Sequence, residues 1–134
     1  MLPMVSMQVA ERMSPHPTTV RLGDSLRTAR LIMQTEGFKH LPVVERKRVL
    51  GVLTDRDLRE HTEHLDDTAV ETVMTANPVM VSPRTSIEEA ASLMLVKKIG
   101  CLPVVDDGSV VGILTVTDIL RALLDIARVH AKES

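Results

Sequence analysis

Two heptads carry residue types suited to binding chemistry: Gly51-Val52-Leu53-Thr54-Asp55-Arg56-Asp57 and Gly112-Ile113-Leu114-Thr115-Val116-Thr117-Asp118. Both run Gly, two aliphatics, Thr, two variable positions and Asp, where a strand-like run gives way to a helix-like one. A carboxylate accepts two hydrogen bonds at once, which matches the paired 2′ and 3′ hydroxyls of a ribose. The Thr hydroxyl and the first N–H groups of a helix suit a phosphate, because the helix dipole favours an anion there. Arg56 adds a charge-assisted contact in the first heptad. Its counterpart Thr117 offers only a hydroxyl, so the two sites would differ in affinity for phosphate. The same residues also have a purely structural use. Thr at the N-cap and Asp three residues on would cap the helix and complement its dipole, with Arg56 a solvated charge. Both readings stand at this point.

Composition narrows the chemistry around these heptads. The 134 residues suit one compact domain or two very small ones sharing a core. No apolar run approaches the roughly 20 residues of a membrane span, and the opening Met1-Leu2-Pro3-Met4 lacks the character of a signal peptide. A net charge of −2 and a single aromatic residue, Phe38, argue against nucleic acid as a partner. The lone Cys101 makes neither an internal disulfide nor a zinc cluster, so a cytoplasmic setting is expected. The eight methionines are expected to fill core gaps.

The chain repeats itself. A shift of 61 residues, without a gap, lays Met13 on Met74, Ser25 on Ser86, Ala29 on Ala90 and Met33 on Met94. It lays Leu41-Pro42-Val43-Val44 on Leu102-Pro103-Val104-Val105, and the first heptad on the second. In each copy Thr18 to Val20, or Val79 to Val81, reads as a short extended segment after a proline. A helix follows, opened by Asp24-Ser25 or by Thr85-Ser86, with apolar residues at Leu26, Ala29 and Met33 or Ile87, Ala90 and Met94. Gly37 is the expected stop of the first helix. A hairpin comes next, turning at Glu45-Arg46-Lys47-Arg48 or at Asp106-Asp107-Gly108-Ser109. The last helix is short and polar in copy one and long and apolar in copy two. The fold class is therefore α/β (α+β), two βαββα repeats. Each repeat is too small to stand comfortably alone, so the two are expected to face each other, sheet against sheet, about a pseudo-twofold axis with a cleft between them.

The paired segments Val9-to-Met13 and Val70-to-Met74, the two Leu-Pro-Val-Val strands and the two heptads together resemble tandem CBS-domain proteins, or Bateman modules. The resemblance covers roughly residues 7 to 127, with one CBS domain at 7–63 and a second at 68–127. It implies a cleft that binds an adenosine-containing ligand such as AMP, ADP, ATP, NAD or S-adenosylmethionine. It further implies ribose contacts by Asp57 and Asp118, phosphate contacts by Thr54, Thr115 and Thr117, and base contacts by Thr18, Val79, Lys39 and Gly100. Arg56 departs from the hydroxyl expected at its position.

The remaining features are plainer. His61 and His64, among Glu60, Glu63, Asp66 and Asp67, read as a solvated connector rather than a metal site. His40 and Cys101 occupy equivalent positions, and Cys101 reads as a buried inert thiol. No catalytic constellation can be assembled, so no enzyme and no cofactor is expected. The apolar residues of the last helix cover more than one face, which predicts a homodimer. The leading expectation is a stand-alone regulatory sensor whose ligand biases the angle between the copies for an unknown regulated protein to read. The alternative is an interaction or dimerisation module whose heptads only cap helices, and a small nucleotide-processing enzyme is the remote third.

Overall fold

The structure, a computed structural model, describes residues 7–133, so the opening Met1–Met4 lies outside the described residues. The chain is mixed α and β, with two sheets. It divides into two compact units, Pro17–Pro78 with the hairpin tip Gly108–Val110, and residues 7–16 with Val79–Asp107 and Val111 onwards.

In the first unit, β2 (Val20–Arg21) lies parallel to β3 (His40–Glu45), which pairs antiparallel with β4 (Arg48–Thr54). Helix α1 (Leu26–Glu36) connects β2 to β3. The Ser25 hydroxyl caps it by accepting the Thr28 N–H at 3.2 Å, and Gly37 ends it in the left-handed region at φ 76°. Its stripe of Leu26, Ala29 and Met33 packs on Leu41, Val43 and Leu53 of the sheet. Helix α2 (Asp55–Arg59) follows β4 directly. The loop then runs through Leu65 to α3 (Val70–Val73) and β5 (Thr75–Ala76), which forms the fourth strand beside β4.

The second unit repeats this plan with α4 (Ile87–Lys97), β6 (Cys101–Asp106), β7 (Ser109–Thr115) and the 18-residue α5 (Val116–Glu133). Its edge strand is β1 (Ser14–Pro15), antiparallel to β7. The strand expected at Val79 to Val81 is here a single parallel bridge between Val81 and Val104. The second helix stops at Lys98, left-handed at φ 56°, the position equivalent to Gly37.

The leading segments explain why the two units match so closely. In the second unit Val9 N–H donates to the Thr85 carbonyl at 2.8 Å and Ile87 N–H to the Met7 carbonyl at 2.8 Å. In the first, Val70 N–H donates to Asp24 at 2.8 Å and Leu26 N–H to Thr68 at 3.0 Å. These are the same bonds moved along by the repeat. Val9 and Val70 are both fully buried, each contributing about 1.5–3 kcal/mol of hydrophobic stabilisation. Each unit is thus completed by a leading segment and a two-residue edge strand, and neither strand has a periodic signature in the sequence.

Both hairpins turn through two residues in the left-handed region, Arg46 (φ 51°) with Lys47 (φ 69°), and Asp107 (φ 51°) with Gly108 (φ 79°). The strands consequently run one residue further than the apolar pattern suggests. Two-residue turns of this hand match strand twist. Asp-Gly takes that geometry readily, whereas Arg46-Lys47 adopts it at a cost.

Candidate functional site

In each unit the hairpin delivers a strand end and a helix start to one corner. Thr54 is the N-cap of α2, and its hydroxyl accepts the Asp57 N–H at 3.2 Å while the Asp57 carboxylate accepts the Thr54 N–H at 2.9 Å. In the second unit Asp118 Oδ2 accepts the Thr115 N–H at 2.8 Å and the Thr115 hydroxyl at 3.1 Å. The Asp118 N–H returns a longer bond of 3.4 Å to that hydroxyl. Both heptads therefore form reciprocal caps. The capping use is realised in full, and in each heptad the Asp carboxylate accepts through Oδ2. The four side chains are half-buried, leaving them open to solvent on one side.

The other candidates gather at the same end of each sheet. The Lys39 carbonyl accepts the Asp55 N–H at 3.0 Å, and the Gly100 carbonyl accepts the Val116 N–H at 3.1 Å. These two backbone groups thus touch the helix starts, although the Lys39 side chain is exposed. The parallel register of Val20 with Val43 carries Thr18 toward the start of β3, and the Val81 bridge to Val104 does the same for Val79. Thr18 donates a long 3.4 Å bond to Glu36, whereas Val79 packs against the core of its unit. Arg56 is exposed and 3.5 Å from Glu60, one turn on along the same short helix, so its charge is shared with a neighbour. Thr117 is exposed at the second position of α5.

Two features of the corner have no local signal in the sequence. The first is the reason for the heptad glycines. A Cβ on Gly51 would stand 2.8 Å from the Thr75 carbonyl oxygen and run into the Met74 side chain. One on Gly112 would stand 3.0 Å from the Ser14 carbonyl oxygen and run into Met13. The edge strands cross so closely that only glycine fits. The signal was the joint recurrence of Met13 with Met74 and Gly51 with Gly112. The second is His40, which the register of β3 and β4 sets opposite Thr54. Burial, the largest influence on it, holds its pKa below the ordinary imidazole value. At the equivalent position burial pushes the Cys101 thiol up to about 12, so it is protonated and unreactive.

The connector behaves as a surface. The His61 ring lies 2.9 Å from the Asp57 carbonyl, and Arg27 pairs with Asp66. Among the described residues no three His, Cys, Asp or Glu side chains group as a metal site requires. Asp55 is 3.8 Å from Arg59 while Asp57 caps Thr54, so the two carboxylates serve different partners. No helix of the described residues is long and apolar enough to cross a membrane.

Comparison with known proteins adds the family. The CBS domain profile matches residues 7–64 and 70–125. The CBS domain-containing protein YhcV of Bacillus subtilis is 34% identical over 114 residues, which are 83% of this chain and 81% of the relative. The inosine-5′-monophosphate dehydrogenase of Korarchaeum cryptofilum is 33% identical over 102 residues, but these span only 21% of that enzyme. Among solved structures, CBSX2 of Arabidopsis thaliana in complex with AMP is 31% identical, with a TM-score of 0.78 over 90% of this chain and 98% of that one. The CBS domain pair of MJ0100, in complex with 5′-methylthioadenosine and S-adenosyl-L-methionine, is 28% identical with a TM-score of 0.81 over 87% and 95%. The doubled profile, the repeated caps and the matching folds place this chain in the CBS-domain family, as a protein with two CBS domains in tandem.

Proposed function

We propose that the chain is a regulatory module that binds an adenosine-containing ligand: AMP, ADP, ATP, NAD or S-adenosylmethionine. The observation that carries this reading is the corner built twice, where a Thr hydroxyl, an Asp carboxylate with one oxygen uncommitted and the backbone before β3 or β6 converge. Similar folds hold AMP, 5′-methylthioadenosine and S-adenosyl-L-methionine. In this reading the free oxygens of Asp57 and Asp118 take a ribose, and Thr54, Thr115, Thr117 and Arg56 meet phosphate. Thr18, Lys39, Val79 and Gly100 frame the base. Regulation rather than catalysis is the role inferred, with a partner protein reading a ligand-dependent shift between two states of the chain.

A second copy is the proposed cover for the exposed apolar residues of α4 and α5. Leu95 and Val96 are 80% and 72% exposed, and Leu120, Leu123 and Leu124 are each about half exposed. Light scattering at micromolar concentration should give twice the chain mass, falling to one on Leu123→Glu with Leu124→Glu.

The completed caps favour a rival, an interaction module that binds no nucleotide. Thermal-shift measurements with the five ligands separate the two. A binder gains RT ln(1 + [L]/Kd), about 2.7 kcal/mol at a hundredfold excess over Kd. Stabilisation by at least one ligand is expected, and no shift with any of them at millimolar concentration favours the rival.

A further inference from the structure

The segment that completes the second unit comes from ahead of the first. Residues 7–16 group with Val79–Asp107 and Val111 onwards, whereas their own repeat continues from Pro17 in the other unit. The arm they form is held at several points. The Val9 N–H donates to the Thr85 carbonyl at 2.8 Å, the Ala10 N–H to Pro83 at 3.0 Å, and the Ile87 N–H to Met7 at 2.8 Å. Ser14 and Pro15 edge β7 opposite Ile113 and Gly112. Val9 is fully buried in the core of that unit, with Ile87, Leu102 and Leu114. All of these contacts are made to the second unit, and the arm joins the first unit through one covalent link, His16-Pro17.

That link is strained. The His16 N–H donates to the Val111 carbonyl at 3.2 Å, and the φ of 50° that follows sets the direction in which the chain leaves β7. A residue with a Cβ takes left-handed backbone at a cost, and a following proline narrows its choices further. The equivalent Asn77 has the same φ of 50° before Pro78, with a side chain better suited to it. A short hinge under strain favours exchange of the element it carries between copies. The exchanged arm makes identical contacts while the hinge relaxes.

Resting on the second-copy reading above, we infer that the two copies of a dimer exchange these arms, so that residues 7–16 of each complete the second unit of the other. The arm lies on the helix whose leucines a second copy is proposed to cover. Arg12 is 2.6 Å from Asp125, which follows Leu124 on α5. With Leu120, Leu123 and Leu124 against another copy, the arm of that copy is present at the effective concentration of an intramolecular partner.

The exchange reaches the second heptad. Met13 of the arm fills the space that a Cβ on Gly112 would need, and the Ser14 carbonyl oxygen would stand 3.0 Å from that Cβ. From this crossing β7 runs on to Thr115, which is tied to Asp118. The corner at Thr115 and Asp118 is then built on a strand edged by the other copy. The corner at Thr54 and Asp57 is edged by Thr75–Ala76 of its own chain. That strand lies between the two units in sequence, so it cannot be exchanged without carrying a whole unit with it.

Ser14→Cys with Ile113→Cys in the full chain reads the exchange, because directly opposed residues of an antiparallel pair lie within disulfide reach. After oxidation, a denaturing gel without reductant is expected to show two chains linked together, and reductant should return them to one. His16→Gly in the same variant relieves the hinge and should lower the linked fraction at least about fivefold, the bias one strained residue supplies. In parallel, wild-type chains carrying different isotope labels are refolded together. NMR contacts are expected between the Val9 methyls of one chain and the Leu102 or Leu114 methyls of another, which decides the matter should the cysteine variant fail to fold. A dimer in light scattering whose disulfides close only within one chain, without such NMR contacts, overturns the exchange and leaves the second copy on the leucines. A linked fraction unchanged by His16→Gly overturns the part assigned to the hinge. A monomeric wild type overturns the second-copy reading and the exchange with it.

Discussion

Replacing the heptad aspartates separates structure from binding, because the two uses of the carboxylate respond differently to Ala and Asn. Asp118 Oδ2 accepts the Thr115 N–H at 2.8 Å and its hydroxyl at 3.1 Å. Asp57 accepts the Thr54 N–H at 2.9 Å. Loss of a cap costs about 0.5–2 kcal/mol, and the lower half of that range applies to half-solvated groups such as these. Asp118→Ala should therefore destabilise the unliganded chain by about 1 kcal/mol, slightly more than Asp57→Ala, which removes one fewer bond. For a chain of this size that moves Tm by roughly 3–6 °C. Asn presents a carbonyl oxygen to the same N–H, so Asp57→Asn and Asp118→Asn should hold Tm within about 2 °C of wild type. Asn lacks the second acceptor and the charge, so ligand affinity should fall by tenfold or more while folding is intact. Urea unfolding without ligand measures the first effect and calorimetric titration the second. An unchanged midpoint in both Ala variants would refute the caps as drawn, and full affinity in both Asn variants would refute the ribose contact.

Three further outcomes follow from other contacts. Gly51→Ala should cost about 1–3 kcal/mol through the clash with Thr75 and Met74, and Gly112→Ala less, since its carbonyl neighbour is 3.0 rather than 2.8 Å away; equal stability of both variants and wild type in urea would contradict the close crossing. Arg12 lies 2.6 Å from Asp125 and holds its carboxyl below the ordinary carboxylate range, so the stability this pair adds is present above about pH 4 and is lost as pH falls through the lowered value. Wild type and Arg12→Ala should differ in Tm at pH 7 and converge in acid, and a constant difference would count against the pair. Cys101, buried with its thiol pushed up to about 12, should react with a disulfide reagent at pH 8 only as fast as the chain opens, and rapid labelling of the native chain would show the burial to be wrong.

Much of the fold could be read from the repeat. Ser25, Ser86 and Gly37 signal helix ends through local chemistry, and Asp107-Gly108 signals a turn in the same way. The buried stripes of Leu26, Ala29 and Met33 and of Ile87, Ala90 and Met94 follow from period alone. What escaped was non-local. Ser14–Pro15 and Thr75–Ala76 are two-residue strands recognisable only by what they pair with, β7 and β4. The glycines of the heptads answer to those same edge strands. Lys98 takes a left-handed stop for which a glycine is the usual sign. In the site, the Thr–Asp spacing was legible because it is a local motif. The approach of His40 to Thr54 was not, because it depends on hairpin register, which a bulge at Val43 and Val44 resets.

The most direct test of the central claim is equilibrium dialysis of labelled AMP, ADP, ATP, NAD and S-adenosylmethionine against the full chain, beside the Asp57→Asn, Asp118→Asn double variant. Saturable binding of at least one ligand at one to two per chain is expected, lost in a double variant that melts like wild type. No saturable binding of any of the five, or undiminished binding by the double variant, would contradict it.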